Sequence, residues 1–117
     1  MPGRILIVED EYLIRLLLED MVVELGYEIA GVASNFNEGK TQAETAAFDL
    51  AILDVNIDGV QVFPIAEVLR KRNLPFVFIT GYGAQGLPEN YRQSPTLQKP
   101  FQMNDLKRTL ATAMEPG

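Results

Sequence analysis

Residues 4–11 read Arg4-Ile5-Leu6-Ile7-Val8-Glu9-Asp10-Glu11, an unbroken apolar run that passes directly into three acidic residues. The run lacks the apolar–polar alternation of a half-exposed strand, so it predicts a parallel strand that is covered on both faces. The segments 51–53 and 76–79 have the same character, and Asp54 and Thr80 follow them. The sequence therefore predicts buried parallel strands with polar residues at their carboxyl ends.

Helical patterns separate these strands. Apolar residues recur at the spacing of one helix face before Gly26, namely at Ile14, Leu17, Leu18, Met21 and Leu25. Asn35 with Glu38 resembles the capping box of a second helix. Two further helices are indicated over 62–69 and 106–113, and Pro64 fits only the first turn of the former. Glycines and Pro88 allow only a short or irregular helix over 81–94.

The alternation of strands and helices predicts an α/β fold with one doubly wound parallel sheet and helices on both faces. A weaker strand over 27–33 and a short strand at 96–98 complete five strands. At 117 residues the chain has the size of a single domain, and we assign residues 1–117 to it. The basic run 70–72 falls in the last turn of the third helix, where cations oppose the helix dipole.

Composition excludes several classes of function. The chain has a formal net charge of −6 and contains neither cysteine nor histidine. Disulfides, thiolate or imidazole metal sites, and catalysis by Cys or His are therefore ruled out. An acidic chain without a basic tract is a poor candidate for binding nucleic acid. No apolar segment reaches 18 residues and no signal peptide is evident, so we expect a cytoplasmic protein without membrane insertion.

The carboxyl ends of parallel strands meet at one edge of the sheet, so Glu9, Asp10, Asp54, Thr80 and Lys99 are expected to converge there. Each pair of like charges near 4 Å costs roughly 4 kcal/mol at an effective dielectric constant of about 20. Either a carboxyl group takes up a proton or a hard divalent cation such as Mg²⁺ binds. Glu11 reads instead as a solvated loop residue or a helix cap.

Mg²⁺ held in this way usually faces a phosphate, which indicates phosphoryl transfer. A carboxylate can act as the nucleophile and give an acyl phosphate. Asp54 is the best candidate because its strand lies between the acidic pair and Lys99. Thr80 supplies a hydroxyl donor and Lys99 a positive charge for the phosphoryl oxygens.

Four motifs together resemble the CheY-like receiver domains of response regulators, namely residues 4–11, 49–56, 78–81 and 99–101. The resemblance covers essentially the whole chain and implies a five-stranded sheet of order 2-1-3-4-5. It implies that Asp54 accepts a phosphoryl group from a phosphohistidine on a histidine kinase or a histidine phosphotransfer protein. Since the chain has no histidine, the donor is another protein or a small acyl phosphate.

The resemblance also implies the roles of the neighbouring residues. Asp10, Asp54 and the backbone carbonyl of Asn56 would bind Mg²⁺ directly, and Glu9 would act through water. Thr80 and Lys99 would contact the phosphoryl oxygens, and the Lys99–Pro100 peptide is expected to be cis. Such a domain is not an enzyme, although it catalyses its own phosphorylation and dephosphorylation, and it signals through contacts with a downstream protein whose identity the sequence does not give.

One departure concerns the conformational switch. Many receivers have an aromatic residue three positions before the lysine, whereas this chain has Thr96. Residues 75–83 are similar to the "FAT GUY" single-domain receivers of stress signalling, with Ile79 where that motif has alanine. Tyr82, at the mouth of the site, and Tyr91 are both candidates for a substitute switch. The alternative is that Tyr82 packs as a loop aromatic residue and that Tyr91 is a surface tyrosine.

A second feature lies on the first helix. Tyr12, Leu16 and Val23 fall roughly opposite its core stripe, and the resemblance suggests that they dock the helices of a kinase or phosphotransfer partner, together with Pro100 and Phe101. Exposure by chance is the alternative, because scattered apolar surface residues are normal.

Three other functions share features with this sequence. A haloacid-dehalogenase-like phosphohydrolase would need an aspartate two residues after the nucleophile, where this chain has Asn56. A docking domain that works without phosphorylation is disfavoured because every site residue is present. The chain could also be the receiver part of a longer regulator.

Overall fold

The computed structural model describes residues 3–115. Its strands and helices follow in this order: β1 (Arg4–Val8), α1 (Tyr12–Glu24), β2 (Glu28–Ala33), α2 (Phe36–Thr45), β3 (Leu50–Asp54), β4 (Asn56–Ile57), β5 (Val60–Gln61), α3 (Phe63–Lys71), β6 (Phe76–Thr80), β7 (Thr96–Gln98) and α4 (Met103–Met114). Two 3₁₀ turns, Ala84–Gly86 and Glu89–Tyr91, replace a regular helix between β6 and β7. Across residues 3–115, no helix is both long and apolar enough to span a bilayer.

Five parallel strands form the main sheet in the order β2-β1-β3-β6-β7. Because β4 and β5 form a separate hairpin, β6 and β7 are the fourth and fifth strands of the main sheet. Its order is therefore 2-1-3-4-5, as predicted. Val8 pairs with Leu53, and Leu53 pairs with Phe78, so the three central strands end at the same level. This register brings the residues that follow the strands to one edge of the sheet.

Both faces of the central strands are covered, as the apolar runs predict. Side chains alternate between two separate cores, because successive residues of a strand point to opposite faces. Leu6, Leu53 and Phe78 belong to the core beneath α2 and α3. Ile7 and Ile52 belong to the core beneath α1 and α4.

The predicted helix ends are confirmed in α1, α2 and α3. Gly26 follows the end of α1 with φ of 96°, a conformation that favours glycine. In α2 the Asn35 side chain accepts a hydrogen bond from the Glu38 N–H at 2.9 Å, which caps the helix. Pro64 occupies the first turn of α3, where its missing N–H costs no helical hydrogen bond.

One helix-face prediction is wrong. The apolar spacing predicts Leu17 on the buried face, but Leu17 is 41% exposed, whereas Val22 is fully buried with Leu18. Leu18 and Val22 are four residues apart and define the centre of the buried stripe of α1. The stripe is therefore narrower than the apolar pattern of the sequence suggests, and it leaves several apolar residues of α1 on the surface.

A side chain of α2 occupies one backbone carbonyl on the outer border of β2. The amide nitrogen of Gln42 donates a hydrogen bond to the Val32 carbonyl at 3.2 Å. Helix α2 packs closely against β1 at Gly39. A Cβ atom added at Gly39 would lie only 2.8 Å from Cγ1 of Val8. Glycine is therefore required where α2 crosses β1.

A short antiparallel hairpin of β4 and β5 follows β3. It was not predicted from the apolar pattern. Its turn consists of Asp58 and Gly59, with φ of 50° and 84°. Positive φ at both central turn residues is typical of a tight two-residue hairpin. The hairpin places Asn56 and Asp58 beside the end of β3.

Candidate functional site

The carboxyl edge of the sheet brings three predicted residues together in a buried group. Glu9, Asp54 and Thr80 are 0%, 5% and 5% exposed. Lys99 reaches over them from the end of β7, with its Nζ 3.3 Å from Oδ2 of Asp54 and 3.6 Å from Oε1 of Glu9. The Lys99–Pro100 peptide is cis, as the resemblance implied. A cavity of about 480 Å³ opens above Asp54 and Lys99.

The hairpin of β4 and β5 forms another wall of this cavity. The Asp58 N–H donates to Oδ2 of Asp10 at 2.9 Å and so joins the hairpin to the end of β1. The Asn56 N–H donates to Oδ1 of Asp54 at 3.2 Å. One oxygen of Asp54 is thus held by the backbone, while the other faces Lys99.

Glu11 belongs to the site, which the sequence reading did not anticipate. It is the N-cap residue of α1, but its side chain makes no capping hydrogen bond. Oε1 of Glu11 instead lies 3.5 Å from Nζ of Lys99. Its place directly after Glu9 and Asp10 is the only sequence signal that could have indicated this contact.

Electrostatic crowding changes the proton affinity of the buried groups. Burial and the neighbouring Asp54 raise the pKa of Glu9 to about 9. Burial alone would lower the pKa of Lys99, but Asp54 and Glu9 outweigh that effect and raise it. Lys99 is therefore charged near neutral pH, and Glu9 carries a proton when no cation compensates its charge.

The group fits a hard divalent cation. Both carboxyl oxygens of Glu9 are buried and have no hydrogen-bond partner among the described residues. Glu9, Glu11 and Asp54 each offer a carboxylate oxygen, and these oxygens lie within 4.8 Å of one another. Asp10, Asp54 and Asn56 border the same cavity. Oxygen ligands of this kind, next to open space for water, suit Mg²⁺.

A family model described as "Response regulator receiver domain" matches residues 5–111, nearly the whole length of the chain. The chain belongs to this family. Receiver domains are signalling modules of two-component systems, and they bind Mg²⁺ at an acidic pocket. Membership of this family explains both the four sequence motifs and the order of the strands.

Curated relatives support the same assignment. The transcriptional regulatory protein PdtaR of Mycobacterium tuberculosis is 40% identical in an alignment of 111 positions that covers 90% of this chain and 53% of PdtaR. The phyllosphere-induced regulator PhyR of Methylorubrum extorquens is 31% identical over 97% of this chain and 44% of its own. The receiver thus spans about half the length of these relatives.

Solved structures include a relative of almost the same length. The solution structure of SdrG from Sphingomonas melonis Fr1 superposes with a TM-score of 0.86 at 38% identity and covers 97% of this chain and 98% of SdrG. The PhyR receiver domain of Erythrobacter litoralis gives a TM-score of 0.83 at 32% identity, covering 97% of this chain and 90% of that one.

The predicted switch residues of this receiver lie in different surroundings. Tyr82 is 86% exposed and lines the cavity, and its N–H donates to Oγ1 of Thr80 at 3.1 Å. Thr96 lies on β7, and its hydroxyl donates to the Ser94 carbonyl at 2.9 Å. The reading of Tyr91 as a surface residue is wrong, because Tyr91 is only 3% exposed.

The predicted docking residues are mostly on the surface of the receiver. Tyr12, Leu16 and Val23 are 62%, 40% and 57% exposed, and Leu13 is exposed beside them. Pro100 is exposed at the end of β7, whereas Phe101 is half-buried against the core beneath α1 and α4. Binding of a partner by these residues stays a prediction.

The basic run 70–72 does more than oppose a helix dipole. Arg72 donates hydrogen bonds to the carbonyls of Ala43 and Ala46, at the end of α2. Arg70 donates to the Asn90 carbonyl at 2.7 Å. Both arginines thus connect α3 to neighbouring segments, which the local sequence could not reveal.

Proposed function

We propose that this receiver accepts a phosphoryl group on Asp54 from a phosphohistidine of a histidine kinase or a histidine phosphotransfer protein. The observation that carries the proposal is the contact of 3.3 Å between Oδ2 of Asp54 and Nζ of Lys99, at the floor of an open cavity. A carboxylate oxygen of Asp54 forms the new P–O bond as the P–N bond to the imidazole breaks. The imidazole nitrogen keeps the electron pair and takes up a proton.

Lys99 and Thr80 provide complementary contacts for the transferred group. The Lys99 ammonium neutralises charge on the phosphoryl oxygens, and the Thr80 hydroxyl can donate a hydrogen bond to one of them. The Asn56 N–H holds Oδ1 of Asp54 and so orients the carboxylate. Bound by Asp10, Asp54 and the Asn56 carbonyl, with Glu9 acting through water, Mg²⁺ would neutralise the charge that develops during transfer.

The signal then passes through contacts with another protein. A phosphoryl group brings close to two negative charges into a site that is already acidic, so the surrounding backbone has to adjust. The hydroxyl of Thr80 now accepts the Tyr82 N–H, and reorientation of Thr80 toward the phosphoryl group would alter that bond. A dehalogenase-like hydrolysis is disfavoured, because Asn56 cannot act as the general acid.

Intact mass spectrometry after incubation with acetyl phosphate and Mg²⁺ tests the proposal. The wild-type protein should gain one phosphoryl group, and Asp54→Asn should gain none. Asp58→Asn is the matched control, since Asp58 is an exposed carboxyl group on the wall of the same cavity, and it should still be modified. Equal labelling of Asp54→Asn and the wild type would refute Asp54 as the acceptor.

A further inference from the structure

The segment that follows Thr80 has two halves with different attachments. The first half, Gly81–Gly86, contains three glycines, and its largest side chain, Tyr82, is 86% exposed. Gly83 has φ of 72°, a conformation that glycine adopts without strain. The hydrogen bond from the Tyr82 N–H to Oγ1 of Thr80 links this half to the site.

The second half, Leu87–Ser94, is held by buried side chains. Leu87 and Tyr91 are 2% and 3% exposed and lie in the core beneath α2 and α3. The Tyr91 ring stacks on Phe63 at 5.2 Å between centroids and meets the edge of Phe78 at 5.5 Å. Aromatic pairs in such geometries add to the free energy gained from burial alone.

Helix α3 holds Tyr91 through two residues one turn apart. The Tyr91 hydroxyl donates to Oε2 of Glu67 at 2.5 Å. Burial and Glu67 raise the pKa of Tyr91 to about 12, so the phenol keeps the proton that it donates. The Arg70 guanidinium lies 4.1 Å from the centroid of the Tyr91 ring and donates to the carbonyl of Asn90.

The backbone of the second half contributes little to this attachment. The N–H groups of Leu87, Tyr91, Arg92 and Ser94 all donate to carbonyls within residues 84–91. Apart from the bond that the Ser94 carbonyl accepts from Thr96 of β7 at the very end of the segment, these hydrogen bonds shape the segment without fastening it to the rest of the molecule. The position of Leu87–Ser94 therefore depends on Tyr91, Leu87 and the hydrogen bond from Arg70.

We propose that Tyr91 anchors Leu87–Ser94 to α3, so that the conformational response to phosphorylation is confined to Gly81–Gly86. The inference rests on the proposed phosphorylation of Asp54. Tyr91 acts as a positioning residue: it holds the far end of the segment fixed while the glycine-rich half follows Thr80. Many receivers have a mobile aromatic residue on the last strand, at the position of Thr96. In this receiver the aromatic residue near the switch is Tyr91, and its role is to stay fixed.

Amide hydrogen exchange, measured by mass spectrometry on peptides from each half, tests the confinement. The wild-type protein is compared with and without beryllofluoride and Mg²⁺, which together mimic the phosphoryl group. We expect the exchange rate of 81–86 to change severalfold and that of 87–94 to stay within about twofold. Similar changes in both halves would overturn the proposal.

Conservative variants test the anchor itself in the absence of beryllofluoride. Tyr91→Phe keeps the ring but removes the donor, and Glu67→Gln removes the charge of the acceptor. In each variant, residues 87–94 should exchange about three- to tenfold faster than in the wild type. Tyr27→Phe is the matched control: it removes a phenol hydroxyl just before β2 and should leave exchange of 87–94 unchanged. Unaltered exchange in Tyr91→Phe and Glu67→Gln would contradict the anchor.

The two proposals fail in different ways. Absence of any response to beryllofluoride, together with no labelling by acetyl phosphate, would refute phosphorylation of Asp54 and with it the confined response. The comparison of Tyr91→Phe with the wild type needs no phosphoryl group, so it would still decide whether Tyr91 fastens the segment to α3.

Discussion

At the scale of single residues, Glu9 has the most demanding environment in the receiver. Its side chain is fully buried and its oxygens lack hydrogen-bond partners among residues 3–115. A buried acid of this kind is tolerated in the neutral form or beside a cation. Glu9 thus connects the stability of the receiver to pH and to metal.

The pKa of Glu9, raised from 4.5 to about 9, predicts how metal-free stability depends on pH. At a pH between 4.5 and about 9, Glu9 keeps its proton in the folded protein but releases it in the unfolded chain. The free energy of unfolding should therefore fall as pH rises, by up to about 1.4 kcal/mol per pH unit. Urea unfolding in EDTA from pH 5.5 to 8.5 measures this slope, and Glu9→Gln should flatten it. An identical slope in the variant would show that Glu9 is not the titrating group.

At the scale of elements, α1 has apolar residues on its exposed face as well as on its buried face. Its buried stripe is narrow, and Tyr12, Leu13, Leu16, Leu17 and Val23 are all exposed. Its N-terminal end also lies directly beside the acidic site, because Glu11 occupies the N-cap position and its side chain contacts Lys99. This apolar surface begins beside the acidic site, so we expect the proposed phosphoryl donor to bind it.

Leu16→Asp should slow phosphotransfer from a phosphorylated partner protein about tenfold or more, because the new charge would be buried at the interface. Phosphorylation by acetyl phosphate should be unchanged, since Leu16 lies outside the cavity. Thr41→Asp adds the same charge on the exposed side of α2 and serves as the control. Equal loss with both donors in Leu16→Asp would point to misfolding and against a docking face.

The Tyr91 region shows where sequence reasoning reaches its limit at this scale. The buried strands and the caps of α1 and α2 follow from local patterns of apolar and capping residues. The burial of Tyr91 depends on Glu67 and Arg70 of α3, which lie more than twenty residues away. Local sequence carries no information about such a pairing. The β4–β5 hairpin is a different case, because the Asp58-Gly59 pair is a local sequence signal for a two-residue turn. An analysis based on apolar runs alone does not detect it.

At the scale of the whole molecule, the acidic site opposes the stability of the fold. The two cores and the parallel sheet gather Glu9, Asp10 and Asp54 at one edge, where their negative charges would repel one another if all three were ionised. The order of the strands and the convergence of these residues could be predicted from the strand-end motifs. The contact of Glu11 with Lys99 could not, because it depends on the direction of an exposed side chain.

A cation that binds only the folded receiver should stabilise it. Mg²⁺ at one hundred times its dissociation constant would raise the free energy of unfolding by about 2.7 kcal/mol. Thermal unfolding at pH 8 should show a midpoint several degrees higher with Mg²⁺ than with NaCl of equal ionic strength. Asp10→Asn should reduce this increase. An equal increase in the variant would place the cation elsewhere.

The hydrogen bond from Gln42 to the Val32 carbonyl has a consequence for self-association. Exposed strand borders are templates on which further chains can add, and a side chain that occupies a border carbonyl blocks that growth. On the opposite border, alternation along β7 directs backbone groups of Thr96 and Gln98 outward. We therefore expect strand-exchanged assembly of this protein to favour the β7 border over the border of β2, where Gln42 occupies the Val32 carbonyl.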